Sequence, residues 1–396
     1  MKPSIATSLI TACVVAFSAP ALAQTTPCGG DFGSFLNGVG VEAAQQGYSQ
    51  SAIAAVLQSA RLDQSVLSRD RAQGVFKQTF LEFSQRSISS YRMSHGAQNM
   101  SNYANVFARA RDEFGVPAEV ITAFWALETD YGAVQGDFNT VNALATLAHD
   151  CRRPHLFRPQ LIAAIGMAQN GDLNPATMTG AWAGEIGQVQ MLPHDILTKG
   201  VDGDGDGHVS LKTSSSDAIL TAANLIRSLG WQAGEPWLIE VSAPANIAWE
   251  RSGLHTKLRV SDWTAMGLQA RNGNMPSGNM EASLLAPQGR NGPKFLAFRN
   301  YDVYLEWNQS FIYSTTAAYL ATRLGGAGRY DAGNPDAGLS DAQMRSLQQI
   351  LASRGFDVGK IDGILGARTR NAVQQEQLRL GLPADAWPTP ELLSRY

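Results

Sequence analysis

The chain has 396 residues, 44% hydrophobic and 16% charged with eight Trp, so it can bury a sizeable core and is not globally disordered. Its formal net charge of −3 leaves no basic footprint for nucleic acid and excludes a polyanionic partner held by charge alone. The length suggests two or three domains.

Residues 1–23 carry Lys2, an apolar stretch from Ile10 to Leu22 broken by Ser18 and Pro20, and the small-x-small site Ala21-Leu22-Ala23. This reads as a cleaved secretory signal peptide. Its apolar core is too short for a permanent span, and no later segment supplies the roughly 20 apolar residues that a span needs. Cleavage after Ala23 removes Cys13, and the remaining Cys28 and Cys151 are expected to form one disulfide in an oxidising compartment. The rival reading takes Ile10-Thr11-Ala12-Cys13 as a lipoprotein box. It is the weaker one, because cleavage there leaves apolar Val14 to Phe17 directly behind the lipid.

From residue 31 to about 110 the pattern reads as packed helices: Ile53, Val56, Leu57 and Ala60 keep helical spacing, as do Val75, Phe76, Phe80 and Phe83. Val116-Pro117-Ala118-Glu119 starts a further helix that runs towards Gly132. At 100° per residue from Val120, the positions Tyr131, Phe124, Ile121 and Trp125 fall between about 20° and 140°, with Glu128 at about 80°. Glu128 thus sits inside the apolar arc. A carboxyl held there resists ionising, as a general acid near neutral pH must; the alternative is a core glutamate paired with an Arg or Lys.

In Gly184-Glu185-Ile186-Gly187-Gln188-Val189-Gln190 the glycines would let backbone approach a sugar closely, and the Gln188 and Gln190 amides could bind it; otherwise the loop is structural. Asp202-Gly203-Asp204-Gly205-Asp206-Gly207-His208 places acids at positions 1, 3 and 5 and Gly at 6 of an EF-hand-like calcium loop, with His208 offering its backbone carbonyl at 7. Thr213 stands where the bidentate Glu is expected; the alternative is a polar turn.

Residues 231–312 read as loops and short strands, Tyr301 to Leu305 among the strands, and a helix over Thr316–Leu324 closes the main domain, set at residues 31–326. The glycine-rich stretch 327–338 reads as a flexible linker to a compact module at 339–396. There Ser340-Asp341-Ala342-Gln343 is a capping box, with further helices over Gly366–Leu380 and from Thr389-Pro390.

Several linked motifs in order, Val116-Pro117 through Leu127-Glu128-Thr129, Tyr131-Gly132, Ala143 to Leu147, Ala183-Gly184 and Gly187 to Pro193, resemble the B family of lytic murein transglycosylases. Asp362-Gly363, Gly366, Thr369, Ala372-Val373 and Gly381-Leu382-Pro383 resemble the small three-helix peptidoglycan-binding domain. The signal peptide points to the periplasm, and a monomer is expected. The resemblance implies a mainly α, α+β lysozyme-like catalytic domain with a groove between helical lobes, in an enzyme acting on peptidoglycan glycan strands. It implies Glu128 as the single acid/base, cutting the MurNAc-GlcNAc β-1,4 bond with closure of a 1,6-anhydro ring and no catalytic cofactor. It also implies substrate contacts from Gln190, Trp307, Asn308, Ser310 and Tyr313, a structural Ca2+ with Asp217 as the late acidic ligand, and scope for partnership with other cell-wall enzymes. Glu185-Ile186 departs from the family's small residue and Met. A cleft-facing Glu185 would be a second carboxylate able to support hydrolysis, making the protein a muramidase; as a rim or salt-bridged residue it would not. A noncatalytic wall-binding scaffold is the reading from another class, and a buried Glu128 argues against it.

Overall fold

The computed structural model describes residues 26–72 and 78–396; the expected signal peptide, Val75 and Phe76 lie outside the described residues. The chain opens with six helices: α1 (Phe32–Gln45), α2 (Gln50–Ser59), α3 (Gln64–Arg71), α4 (Phe80–Ser87), α5 (Ser90–Asn102) and α6 (Ala104–Phe114). Short polar caps define their starts. Asp31 accepts from the Ser34 N–H, Ser49 from that of Ala52, and Thr79 with Glu82 forms a capping box.

Helix α7 (Ala118–Thr129) follows, with Pro117 as its N-cap residue. It ends at Asp130 and Tyr131, whose φ values of 49° and 63° are left-handed, so Tyr131 lies beyond the helix and not on its buried arc. Nor does α7 have one buried face: Val120 to Trp125, Ala126 and Thr129 are all buried, because α5, α6, α11 and α14 surround it. Next come strand β1 (Phe138–Asn139), α8 (Thr140–His149), α9 (Pro154–Asn170), strand β2 (Thr179–Gly180) antiparallel to β1, α10 (Pro193–Lys199) and α11 (Ser215–Ser228).

A five-stranded antiparallel sheet, in the order β4-β6-β7-β3-β5, is built from β3 (Leu238–Ser242), β4 (Leu258–Arg259), β5 (Gln269–Ala270), β6 (Glu281–Leu285) and β7 (Phe295–Ala297), with α12 (Val260–Ala265) between β4 and β5. It has its own core around Val241, Trp249, Trp263 and Leu284. The expected strand at Tyr301–Leu305 is instead part of α13 (Arg299–Trp307). Its buried residues Asn300, Tyr301, Val303 and Tyr304 follow the helical i, i+1, i+3, i+4 pattern, and the apparent alternation of aromatics is only local. Helix α14 (Phe311–Leu324) starts five residues before the expected Thr316, because Ser310 caps it by accepting from the Tyr313 N–H.

The C-terminal module contains α15 (Asp341–Ser353), whose capping box forms as expected, α16 (Ala367–Arg379) and α17 (Pro390–Leu393), around Leu347, Leu351, Val373 and Leu392. The connector 327–338 has no helix or strand, but it is not the free chain expected from its glycines. Tyr330 packs on Phe80, Phe295 and Tyr319 and its hydroxyl meets Ser84 Oγ at 2.7 Å. The Asp331 N–H donates to Glu240 at 2.7 Å, and Trp387 of the module donates to the Asp336 carbonyl at 2.9 Å. Buried aromatic area overrides the entropy of a glycine-rich segment.

Cys28 and Cys151 form the expected disulfide across 123 residues of sequence. It ties the segment before α1 to the α8–α9 junction, where Arg152 and Arg153 both pair with buried Asp70. Replacing both cysteines by Ser is expected to lower stability by about 2–5 kcal/mol, read from denaturant unfolding of the oxidised and substituted proteins; an unchanged midpoint would show that the bridge constrains nothing.

Candidate active site

The last turn of α7 delivers Glu128 to a meeting point with α13 and α14. Trp307 Nε1 donates to Glu128 Oε1 at 3.0 Å, and the Tyr313 hydroxyl donates to the same oxygen. The indole is aimed by stacking on Phe124, one turn earlier on α7, with ring centroids 4.3 Å apart.

Burial raises the Glu128 pKa above the ordinary glutamate range, against the lowering effects of the Tyr313 and Trp307 hydrogen bonds. Tyr313 is held strongly neutral, first by burial and then by the adjacent carboxyl. With both donors on Oε1, the titrating proton belongs on Oε2. Beside Tyr313 opens a cleft of about 570 Å³ lined by Phe83, Arg86, Tyr91, Arg92, Leu127 and Val134 among others.

The side chains of Asn308 and Ser310, both partly exposed, serve the local chain. Asn308 Oδ1 accepts from the Ser310 N–H at 2.9 Å, and Ser310 caps α14. Together they close the turn that sets Trp307 and Tyr313 on the same carboxyl oxygen. Gln188 turns inward: it is 5% exposed, accepts from Ser215 Oγ at 3.1 Å and fills the space that a Cβ on Gly132 would need. Gln190 stays partly exposed, at a left-handed φ of 51°, with its amide nitrogen donating to the Gly187 and Gln135 carbonyls. The bend that leads into these two glutamines depends on close approach. A Cβ on Gly184 would lie 2.3 Å from Leu144, and one on Gly187 2.6 Å from the Leu211 carbonyl oxygen.

Glu185 is neither an exposed rim residue nor ion-paired among the described residues. Its Oε2 is buried without a hydrogen-bond partner, burial raises its pKa, and its charge in turn raises that of Glu128. Sequence reasoning misses Thr129, whose hydroxyl donates to the Gln188 carbonyl at 2.5 Å and accepts from the Gly132 N–H at 2.8 Å, fastening the loop to α7. It misses Arg92 too, which grips Asp130 at 2.6 Å. A hydroxyl or an ion pair of this kind has no sequence signature.

In the acidic loop, carboxylate oxygens of Asp202, Asp204 and Asp217 lie within 4.8 Å of one another. The helix-borne Asp217 is 1% exposed and therefore completes the loop from behind. Asp206 stands outside this trio and accepts from the His208 N–H, while the His208 ring turns to Asp172 at 3.2 Å.

The transglycosylase SLT domain family matches residues 31–322 and the peptidoglycan binding domain family residues 340–395. Membrane-bound lytic murein transglycosylase B of Escherichia coli is 31% identical over 208 residues, which is 52% of this chain, and the chain spans about half the length of that relative, 56%. SltB3 from Pseudomonas aeruginosa, solved in complex with NAG-anhNAM-pentapeptide, superposes with a TM-score of 0.84 at 34% identity, covering 93% of this chain and 99% of that one. The Escherichia coli lytic transglycosylase Slt35 in complex with calcium gives 0.64 at 25% identity, covering 78% and 98%. The expected family and lysozyme-like fold class are thereby shown: the chain belongs to the transglycosylase SLT domain family and ends in a peptidoglycan binding domain.

Proposed function

We propose that the protein is a lytic transglycosylase that cleaves the MurNAc-GlcNAc β-1,4 bond of peptidoglycan. The carrying observation is Glu128, a carboxyl with a raised pKa whose Oε1 is held by Trp307 and Tyr313, which leaves Oε2 as the oxygen to carry the proton. The proton passes from Oε2 to the glycosidic oxygen as the C1–O4 bond breaks and positive charge develops at C1. The Glu128 carboxylate then takes the proton of the C6 hydroxyl, and that oxygen bonds to C1. No water is consumed, and one carboxyl serves both steps. The relatives support this reading, SltB3 having been solved with an anhydro-sugar peptide. Secretion into the periplasm is proposed from the N-terminal sequence pattern and the disulfide; among the described residues no helix is long and apolar enough to cross a membrane.

A structural Ca2+ is part of the same proposal. Three oxygen donors of matching hardness converge on one point, and Asp202, Asp204 and Asp217 would hold the ion. It would neutralise a carboxylate cluster whose buried member, Asp217, caps backbone N–H groups at Gly203 and Ser210.

Glu128→Gln is expected to lower the rate on purified sacculi by on the order of 10²–10⁴-fold, and the parent's products should be one water lighter than reducing-end MurNAc fragments by mass. Parental activity in the variant would remove the site, and reducing-end products would overturn the anhydro chemistry in favour of hydrolysis. Because the folded-state pKa of Glu128 lies above its unfolded value, stability is lost as pH rises through the folded value. Glu128→Gln should therefore raise the melting temperature relative to the parent by an amount that grows as pH rises from the ordinary value of 4.5 through the raised folded value and is constant above it; a difference that is the same at every pH would show that Glu128 has no raised pKa. Calorimetry should show calcium binding that Asp217→Asn abolishes, and silence at millimolar calcium would eliminate the ion.

A further inference from the structure

The C-terminal module meets the catalytic helices at a partly buried cation. Arg370 on α16 stacks its guanidinium over the ring of Phe311, 4.7 Å from the centroid, with Trp387 on a second side at 5.9 Å. Its Nη2 donates across the domain boundary to the Pro287 carbonyl at 2.7 Å, whereas Nε is buried with no partner. Among the described residues it makes no ion pair, although the Asp385 charge favours its cationic form. An unpaired cation in such a place is costly. Helix electrostatics does not explain it either, since Phe311 is the first residue of α14 and the N-terminus of a helix repels positive charge. Ring stacking and the one carbonyl are what hold it.

The same first turn of α14 bears the catalytic contact. Phe311 lies under Arg370, Ile312 lines the pocket against the module, and Tyr313 donates its hydroxyl to Glu128. Docking is reinforced away from this turn by Gln374, whose amide nitrogen donates to the Trp249 and Ser252 carbonyls at 3.1 and 2.9 Å. We propose that Arg370 is a positioning residue for the reaction: by clamping Phe311 it fixes the first turn of α14, and so the Tyr313 hydroxyl on Glu128, making the C-terminal module part of the catalytic unit. The inference rests on Glu128 being the acid.

The test uses the full chain and soluble, peptide-free glycan strands, whose cleavage does not depend on holding the insoluble wall. Arg370→Ala is expected to lower kcat about tenfold with KM within about twofold of the parent, and Arg370→Lys, which keeps the charge but loses the planar stack, to recover part of it. In a Tyr313→Phe background, Arg370→Ala should cost less than about threefold, because both changes act on one contact. Should Arg370→Ala fail to fold, Phe311→Leu removes the ring from the other side and is expected to show the same pattern. Parental kcat in Arg370→Ala or Phe311→Leu, or losses that multiply fully with Tyr313→Phe, would overturn the coupling and leave the Glu128 assignment intact. Activity persisting in Glu128→Gln would instead take down the functional reading and this inference with it.

Discussion

Everything at the candidate centre depends on two donors converging on one oxygen of one carboxyl. Hydrogen bonds to an ionised group are each worth about 1.5–3 kcal/mol, so Trp307 and Tyr313 by themselves would hold Glu128 ionised. Burial works the other way and wins, since the pKa is raised and not lowered. The donors therefore orient the group while the apolar surroundings set its protonation. Neither could replace the other, since burial alone leaves a carboxyl free to rotate and hydrogen bonds alone make a poor acid.

The loop at residues 184–190 and the acidic loop share a support, the first turn of α11. Ser214 caps the helix, Ser215 donates to Gln188, and Asp217 receives the Gly203 and Ser210 N–H groups. One short run of chain thus joins the 184–190 loop to the carboxylate cluster. Thr129 adds the tie from the Gln188 backbone to the helix bearing Glu128. A perturbation of the acidic loop has a short covalent and hydrogen-bonded route to the centre.

Much of this is legible from sequence, and the failures share a cause. Glu128 stands out because an acid in an apolar helix is conspicuous, although the single buried arc invoked for it does not exist on a helix buried all round. The calcium-type loop is readable from its spacing, and Asp217 only through family resemblance, because its distance along the chain says nothing about a helix folding back over the loop. Tyr301 to Leu305 mislead because five residues of alternation cannot distinguish a strand from one turn of aromatic helix. Only the family resemblance points Asn308 and Ser310 towards sugar, and residue type points Gln188 there. Their polar groups serve a turn, a cap and an interior bond, and those roles follow from tertiary placement that local pattern does not encode.

The pinned connector changes what the terminal module can mean for the enzyme. A loose tether would let the cleft search a volume around a fixed anchor, and reach would scale with linker length. With Tyr330 seated among Phe80, Phe295 and Tyr319, and Trp387 bonded to Asp336, that freedom is gone. The two domains then form a caliper with one setting, and lengthening the chain between them would not widen its span unless the aromatic seat were also undone.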